Sequence, residues 1–343
     1  MPTLAPGDLF HGLRVERLIA TAHGEVFAVR HASTGEPFAL KTIQLADRAS
    51  VGVVQRALAA ARGAHGIDRP NVVKVYDAGC EPDGTVYLVM ELLHGCSVDV
   101  LIRWGRVSPV FALSVAIEAA RGLGAVHAAL IIHRDVKPSN LFLVNAAAQR
   151  SAIKLLDFSM AKVFEAGIET TTGRRAGLGT AAYSPPEQFA GAVPHPGFDV
   201  YGLGMTLWEL LAGFHPFRAV LHDPEALIHH QRTVMPPLLS EVAGLAPRID
   251  DVVRRSIAKH PQSRYRTMME MSDALEALRS WLIEEERAGR LMMVLPLGQP
   301  PIPGEHNPYD LPVPTALAAF VPAGAALDAR IQIREPARKD DPR

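Results

Sequence analysis

The stretch IIHRDVKPSN, residues 131–140, constrains this chain more than any other part of the sequence. It places one carboxylate, two cationic side chains and an amide directly after a pair of isoleucines. A polar, solvated turn after a buried strand accounts for the pattern if it stands alone. The other interpretation is a functional loop in which Asp135, Lys137 and Asn140 act together. The rest of the sequence decides between these interpretations.

Composition narrows the classes of protein to which the chain can belong. Its 343 residues, 48% of them hydrophobic, suffice for one large domain or two smaller ones with a tail. The formal net charge of −1 provides no global field for binding nucleic acid or an anionic membrane. The two cysteines, Cys80 and Cys96, have neither the number for a disulfide framework nor the spacing of a metal site, which fits a reducing compartment.

The N-terminus and the apolar runs predict a cytoplasmic protein without a membrane span. The opening MPTLAPGDLF lacks the basic region and the apolar stretch of a signal peptide. No uninterrupted apolar run reaches the roughly 18 residues that a membrane helix needs. The best candidate, VYGLGMTLWELLAGF, contains Glu209, and we interpret it as a buried core helix.

The first part of the chain predicts a five-stranded sheet with one helix. Apolar alternation and β-branched residues mark five strands: LRVERLI, GEVFAVRH, PFALKTIQL, NVVKVYDAG and TVYLVMEL. Between the third and the fourth strand, residues 48–62 carry apolar side chains at helical spacing, which predicts a helix.

After about residue 96 the pattern becomes helical. A long helix is predicted to begin at Pro109 with Ser108 as its N-cap. Further helices are predicted in FDVYGLGMTLWELLAGF, PRIDDVVRRSIAKH and RTMMEMSDALEALRSWLIEEERAG, and short strands near 141–144 and 153–156. The predicted fold class is therefore α+β, with a small β-rich lobe before a larger α-helical lobe.

The C-terminal residues, 284–343, are predicted to form a proline-rich, flexible tail that is mostly extended from residue 290 onward. Ten of the 27 prolines fall between Pro296 and Pro342, and proline removes backbone donors. A packed extension along the larger lobe is the alternative. A docking segment for a partner and an inert linker both fit this composition, and we favour the linker.

Three motifs together resemble the eukaryotic-like serine/threonine protein kinases. They are HRDVKPSN, then LLDFS with Asp157 placed 17 residues after Asn140, then GTAAYSPPEQ. The resemblance covers residues 7–283, divided into an N-lobe at 7–95 and a C-lobe at 96–283. It implies a bilobal kinase fold that binds ATP and Mg²⁺ between the lobes and transfers the γ-phosphoryl group to serine or threonine hydroxyls of proteins, with a role in signalling.

The resemblance also implies a role for each residue near the chemistry. Asp135 would accept or orient the proton of the substrate hydroxyl, and Lys137 would place positive charge near the γ-phosphate. Thr180 would contact both of these residues. Asn140 and Asp157 would bind Mg²⁺ through oxygen atoms, as a hard cation requires.

The implied nucleotide site draws on the first lobe. Lys41, in FALK, corresponds to the strand lysine that grips the α- and β-phosphates. Gly24 and Val26 would line the nucleotide. In the connector MELLHG, the backbone around Glu91 to Leu93 would form hydrogen bonds with adenine.

The segment TTTGRRAGLGTAAYSPPEQ resembles a kinase activation segment. The threonines at 170–172 are candidate phosphoacceptors that would pair with Arg134, although plain solvated threonines explain them equally well. By the same resemblance, Glu187 would pair with Arg264, and Asp199 would brace the backbone of the catalytic loop.

The sequence departs from the family pattern in three places. Ile19 and Thr21 stand where two of three phosphate-loop glycines are expected, so that only Gly24 remains. No glutamate occurs between Glu36 and Glu81 to pair with Lys41, and the neutral Gln55 is the best replacement. Ser159 replaces the glycine of the DFG motif.

These departures leave two main readings of the function open. One is an active kinase with a weakened nucleotide clamp. The other is a pseudokinase, which keeps the fold as a nucleotide-binding, scaffold or regulatory module. Lys41, Asp135, Asn140 and Asp157 are all present, which favours the active reading. A small-molecule phosphotransferase shares part of the motif logic, but GTAAYSPPEQ resembles a platform for a protein substrate.

Overall fold

The computed structural model describes residues 4–21, 24–44, 67–105, 107–144, 153–157 and 178–290. Several sequence predictions fall outside these residues: the helix at 48–62 with Gln55, Ser159, the threonines at 170–172, and all of the tail beyond residue 290. The start of the predicted tail at 284–343 is wrong, because residues 284–287 continue the last helix of the domain.

The N-terminal lobe is an antiparallel sheet with strand order β1-β2-β3-β4-β6-β5. Its strands are β1 (Leu9–Phe10), β2 (Leu13–Ala20), β3 (Glu25–His31), β4 (Pro37–Gln44), β5 (Val75–Cys80) and β6 (Thr85–Glu91). The five predicted strands are all present. The prediction of a five-stranded sheet missed β1, because two residues are too short to produce an alternating pattern.

The two faces of this sheet have different partners, as the alternation of side chains along strands requires. One face forms a small separate core that includes Phe27, Val29 and Leu40. On the opposite face the register aligns Val26 with Lys41 and Lys41 with Leu88. Leu88 belongs to the main hydrophobic core, so Lys41 lies on the face that meets the rest of the molecule.

The second lobe begins with a three-stranded sheet ordered β7-β8-β9 and continues with helices. The strands are β7 (Gly95–Ser97), β8 (Leu141–Val144) and β9 (Ile153–Leu155). The helices are α1 (Val98–Trp104), α2 (Pro109–Ala128), α3 (Leu178–Ala181), α4 (Pro196–Ala212), α5 (Pro224–Thr233), α6 (Leu239–Ala243), α7 (Pro247–Ser256) and α8 (Met268–Arg287). Helices α1, α3, α5 and α6 and strand β7 were not predicted from the sequence.

Helices α2 and α4 form the centre of this lobe. The Ser108 hydroxyl accepts a hydrogen bond from the Phe111 amide at 3.2 Å, which confirms the predicted cap of α2. Nearly every residue of α4 is buried, which confirms the predicted core helix. Among the described residues, only α2 is long and apolar enough to cross a membrane, and 67% of its most apolar window is buried inside the protein.

Candidate active site

A cluster of polar side chains forms where the loop after α2 meets the segment that begins with α3. The Lys137 Nζ atom lies 2.9 Å from Asp135 Oδ2 and donates to Thr180 Oγ1 at 3.1 Å. Asn140 Nδ2 donates to Asp135 Oδ2 at 2.9 Å and to the Asp135 carbonyl at 2.8 Å. The structure therefore brings together four of the predicted residues, with Lys137 bridging Asp135 and Thr180.

The other carboxylate oxygen of Asp135 is in a different situation. Asp135 Oδ1 is buried and has no hydrogen-bond partner in the part of the chain that the structure describes. A buried acceptor without a donor costs about 1–3 kcal/mol. This oxygen therefore has acceptor capacity that no described residue uses.

The backbone of this loop is held by Asp199 of α4, which is 1% exposed. Its two oxygens accept from the amides of His133 at 2.8 Å and Arg134 at 2.7 Å, and His127 Nε2 lies 2.7 Å away. Arg134 has a φ of 65°, a left-handed conformation that costs free energy in a residue with a side chain. The predicted bracing role of Asp199 is confirmed, because its carboxylate fixes the strained residue directly before Asp135.

The second part of the site links the two lobes through Lys41 and Asp157. Lys41 Nζ lies 2.7 Å from Asp157 Oδ2, and Lys41 is only 2% exposed. Burial alone would raise the pKa of Asp157, but the charge and hydrogen bond of Lys41, together with the charges of His133 and Lys137, lower it below its usual value. Asp157 is therefore ionised and available as a ligand for a cation.

The oxygen atoms at this point fit a magnesium ion. The Leu156 amide donates to the Asn140 carbonyl at 2.9 Å, which fixes the residue before Asp157 against Asn140. Because the Asn140 side-chain nitrogen is used by Asp135, its Oδ1 atom is the one that could bind a cation. A carboxylate and an amide oxygen are the hard ligands that Mg²⁺ prefers.

The predicted nucleotide-lining residues lie on the same sheet face as Lys41. Val26 is directly opposite Lys41 across β3 and β4. Gly24 has a φ of 116°, and a Cβ atom there would lie 2.5 Å from the Thr42 carbonyl oxygen. The fold itself therefore requires glycine at this position, whereas Thr21 is exposed and Ile19 is half-buried.

The connector between the lobes contains an interaction that sequence reasoning missed. The Glu91 side chain accepts from Lys154 Nζ at 2.6 Å and from the Lys74 amide at 2.8 Å. The Glu91 amide donates to the Lys74 carbonyl at 3.0 Å, and Leu93 packs half-buried against the main core. The signal for this pair was Lys154 inside the apolar strand β9, because a buried cation requires a partner.

The predicted Glu187–Arg264 pair is confirmed. Arg264 donates to the two Glu187 oxygens at 2.6 and 2.8 Å, and its side chain is fully buried. It also donates to the carbonyls of Gly197 at 2.9 Å and Ala258 at 2.7 Å. This two-pronged geometry ties the segment after Thr180 to α4 and to the region after α7.

Comparison with known proteins gives the same picture. Residues 19–293 match the family model described as "Protein kinase domain". A probable serine/threonine-protein kinase of Corynebacterium efficiens is 35% identical over 263 residues, covering 74% of this chain and 39% of that protein. The serine/threonine-protein kinase PknA of Mycobacterium tuberculosis is 32% identical over 322 residues, covering 92% of this chain and 69% of that protein.

A solved structure is similar in its overall fold. The kinase domain of Mycobacterium tuberculosis PknI has a TM-score of 0.65 and 27% sequence identity, covering 80% of this chain and 99% of that domain. This similarity confirms the predicted bilobal fold. Because this chain spans 39% of the Corynebacterium efficiens protein, that relative contains long regions with no counterpart in the alignment.

Proposed function

Because this chain belongs to the protein kinase family, in its bacterial serine/threonine branch, we propose that it transfers the γ-phosphoryl group of ATP to serine and threonine hydroxyls of a protein. The observation that carries the proposal is the Lys41–Asp157 contact of 2.7 Å. It joins the sheet face of the first lobe to the catalytic cluster of the second at one point.

Each side chain has a distinct task in this reaction. Lys41 supplies a positive charge for the nucleotide phosphates, and the unpartnered Oδ1 of Asp135 accepts the hydrogen bond of the attacking hydroxyl. Lys137, beside Asp135 and Thr180, adds positive charge where the phosphoryl group moves. Asn140 and Asp157 would hold Mg²⁺, which neutralises charge on the phosphate oxygens when it is bound.

The pseudokinase alternative rests on the missing glycines and on the missing helix glutamate. The intact Asp135, Lys137, Asn140 and Asp157 cluster, with its braced backbone, supports the active enzyme instead. We also propose that the catalytic domain is cytoplasmic. The part of the predicted 284–343 tail that follows the end of α8 at Arg287 would serve as a linker or a docking segment for a partner.

The test is a radiolabelled-ATP assay of the full chain with Mg²⁺ and dephosphorylated casein. Wild type should label serine and threonine, and Asp135→Ala should lose about 10²- to 10⁴-fold in rate. Both should still bind ATP with Mg²⁺, measured as a thermal shift. Asp251→Ala, at an exposed aspartate of α7, is the matched control and should behave as wild type.

Equal background labelling by wild type and Asp135→Ala would reject the active enzyme in favour of the pseudokinase. Rapid labelling of a sugar or an antibiotic, with none on casein, would favour the small-molecule phosphotransferase.

A further inference from the structure

The backbone that follows Thr180 is held by a chain of hydrogen-bonded polar groups that have no role in the proposed phosphoryl transfer. The Ala182 carbonyl accepts a hydrogen bond from Gln231 Nε2. Gln231 Oε1 accepts from the Tyr201 hydroxyl at 2.5 Å. The Tyr201 oxygen in turn accepts from Lys259 Nζ at 3.0 Å. We name Lys259, Tyr201 and Gln231 the relay.

The relay crosses the interior of the large lobe. Tyr201 lies in α4, Gln231 in α5, and Lys259 between α7 and α8. Tyr201 and Gln231 are 0% exposed, and Ala182 is 3% exposed. Buried polar groups of this kind need their partners, so the loss of the Tyr201 hydroxyl leaves Gln231 Oε1 without a donor among the described residues.

Lys259 is an unusual end for such a line. Its amine donates to neutral oxygens, the Tyr201 hydroxyl and the Gln231 carbonyl at 2.8 Å, and no carboxylate ion-pairs with it among the described residues. Burial, reinforced by the nearby Arg264 guanidinium, lowers the pKa of Lys259 to about 7. Lys259 is therefore held in place by hydrogen bonds to the relay itself.

The far end of the relay lies beside the catalytic cluster. Ala182 is two residues after Thr180, whose hydroxyl contacts Lys137 at 3.1 Å. Moving the Ala182 carbonyl therefore moves the backbone next to the group that touches Lys137. The same carbonyl also accepts from His215 Nε2 at 3.0 Å, so it is clamped from two sides.

We propose that Lys259, Tyr201 and Gln231 are positioning residues that fix residues 178–184 in the conformation that receives the protein substrate. This inference rests on the proposed kinase function and names the residues that set protein-substrate binding rather than nucleotide binding. None of the three lies in the Lys41–Asp157 region. The relay should therefore affect the Michaelis constant for the protein and leave that for ATP unchanged.

The experiment cuts the relay with Tyr201→Phe, which removes one hydroxyl and keeps the ring. Thr206→Val is the matched control, because the Thr206 hydroxyl is buried in the same helix and has no hydrogen-bond partner in the described part of the chain. On the full-length protein, Tyr201→Phe should raise KM for dephosphorylated casein about three- to tenfold, the effect of one lost hydrogen bond. KM for ATP should stay within about twofold. Thr206→Val should change neither.

Hydrogen exchange provides a second readout that does not depend on catalysis. Amides of residues 178–190 should exchange faster in Tyr201→Phe than in wild type or Thr206→Val. Unchanged exchange there would overturn the relay, whatever the activity. Equal increases in both KM values would also overturn it, because they indicate a general structural role.

The two proposals fail separately. If wild type transfers no phosphate, the proposed function falls, while the exchange measurement still decides the relay. If Tyr201→Phe does not fold, Lys259→Met cuts the next link and is judged by the same two measurements.

Discussion

The catalytic loop of the large lobe and the nucleotide face of the small lobe differ in how their functional side chains are held. Asp199 binds two successive amides of the loop, and Asn140 and Lys137 both contact the Asp135 carboxylate. In the small lobe, Lys41 forms one ion pair within the part of the chain that the structure describes, and its partner is Asp157 of the other lobe.

This difference indicates where preorganisation resides. The groups that act on the protein substrate are fixed by other parts of the chain before any ligand binds, which lowers the cost of reaching the reactive geometry. On the nucleotide side, Asp157 is both the partner of Lys41 and the proposed metal ligand, so that one carboxylate has two tasks.

Removing the buried cation of the large lobe should have the largest effect. Arg264→Met leaves Glu187 without its partner, and breaking a buried ion pair in this way costs about 3–5 kcal/mol. The control is Arg255→Met, whose partner Glu270 is partly exposed and whose loss should cost about 0–1 kcal/mol. Urea unfolding measures both. Equal midpoints for the two variants would show that the large lobe does not depend on its buried braces.

Acid should destabilise the large lobe through His215. The Phe217 amide donates to His215 Nδ1 at 3.1 Å, so the neutral ring donates from Nε2 to Ala182. Burial lowers the pKa of His215 from 6.5 to about 4. Between pH 6.5 and 4, His215 is therefore protonated in the unfolded chain but neutral in the folded chain. The free energy of unfolding falls as pH drops through this range, by up to about 3 kcal/mol.

The measurement is the free energy of unfolding from urea titrations across this pH range. His215→Gln cannot titrate and should show a flatter profile than wild type. Parallel profiles would exclude His215 as the source of the acid sensitivity.

The connector joins the two lobes, and breaking its ion pair should have an intermediate effect on stability. Lys154→Met removes the charged partner of Glu91, and hydrogen bonds to charged groups contribute about 1.5–3 kcal/mol. We expect a lower melting temperature and a weaker thermal shift with ATP and Mg²⁺. The double variant Lys154→Glu with Glu91→Lys should restore part of both. No recovery in the double variant would mean that the ion pair is not the cause.

The smallest expected effect is at the phosphate loop. Thr21→Gly restores a glycine where the backbone can approach phosphate closely, and we expect affinity for ATP to increase by about twofold to fivefold. Thr34→Gly makes the same change at an exposed threonine in the turn between β3 and β4 and should leave affinity unchanged. Isothermal titration calorimetry measures both. Weaker binding by Thr21→Gly would show that the threonine itself contributes to the nucleotide site.

Local signals predicted much of this architecture. Ser108 and Pro109 predicted the start of α2 because a helix cap depends on neighbours in the chain. The catalytic cluster, in which the Lys137–Thr180 contact joins residues 43 positions apart, was predicted through the motifs that resemble a known family. The Glu91–Lys154 pair joins residues 63 positions apart, and the Tyr201–Gln231 contact joins residues 30 positions apart. Such partners are set by tertiary packing, which a single sequence does not encode in a readable pattern.

Gly24 illustrates a different limit. Read as a motif residue, it is the last remnant of a loop for binding phosphate. In the structure its hydrogen faces the Thr42 carbonyl, and any side chain would collide there. The glycine that survives in this chain is therefore the one required by packing between β3 and β4, and its presence alone says little about nucleotide affinity.

The hydrogen bonds of Glu91 have a consequence for competitive inhibitors. Its amide already donates to the Lys74 carbonyl, so a compound that enters the proposed adenine site finds no free backbone donor at this residue. Such a compound must present a donor group there. Scaffolds that offer only acceptors at that position will have to gain their selectivity further along the connector, near Leu93.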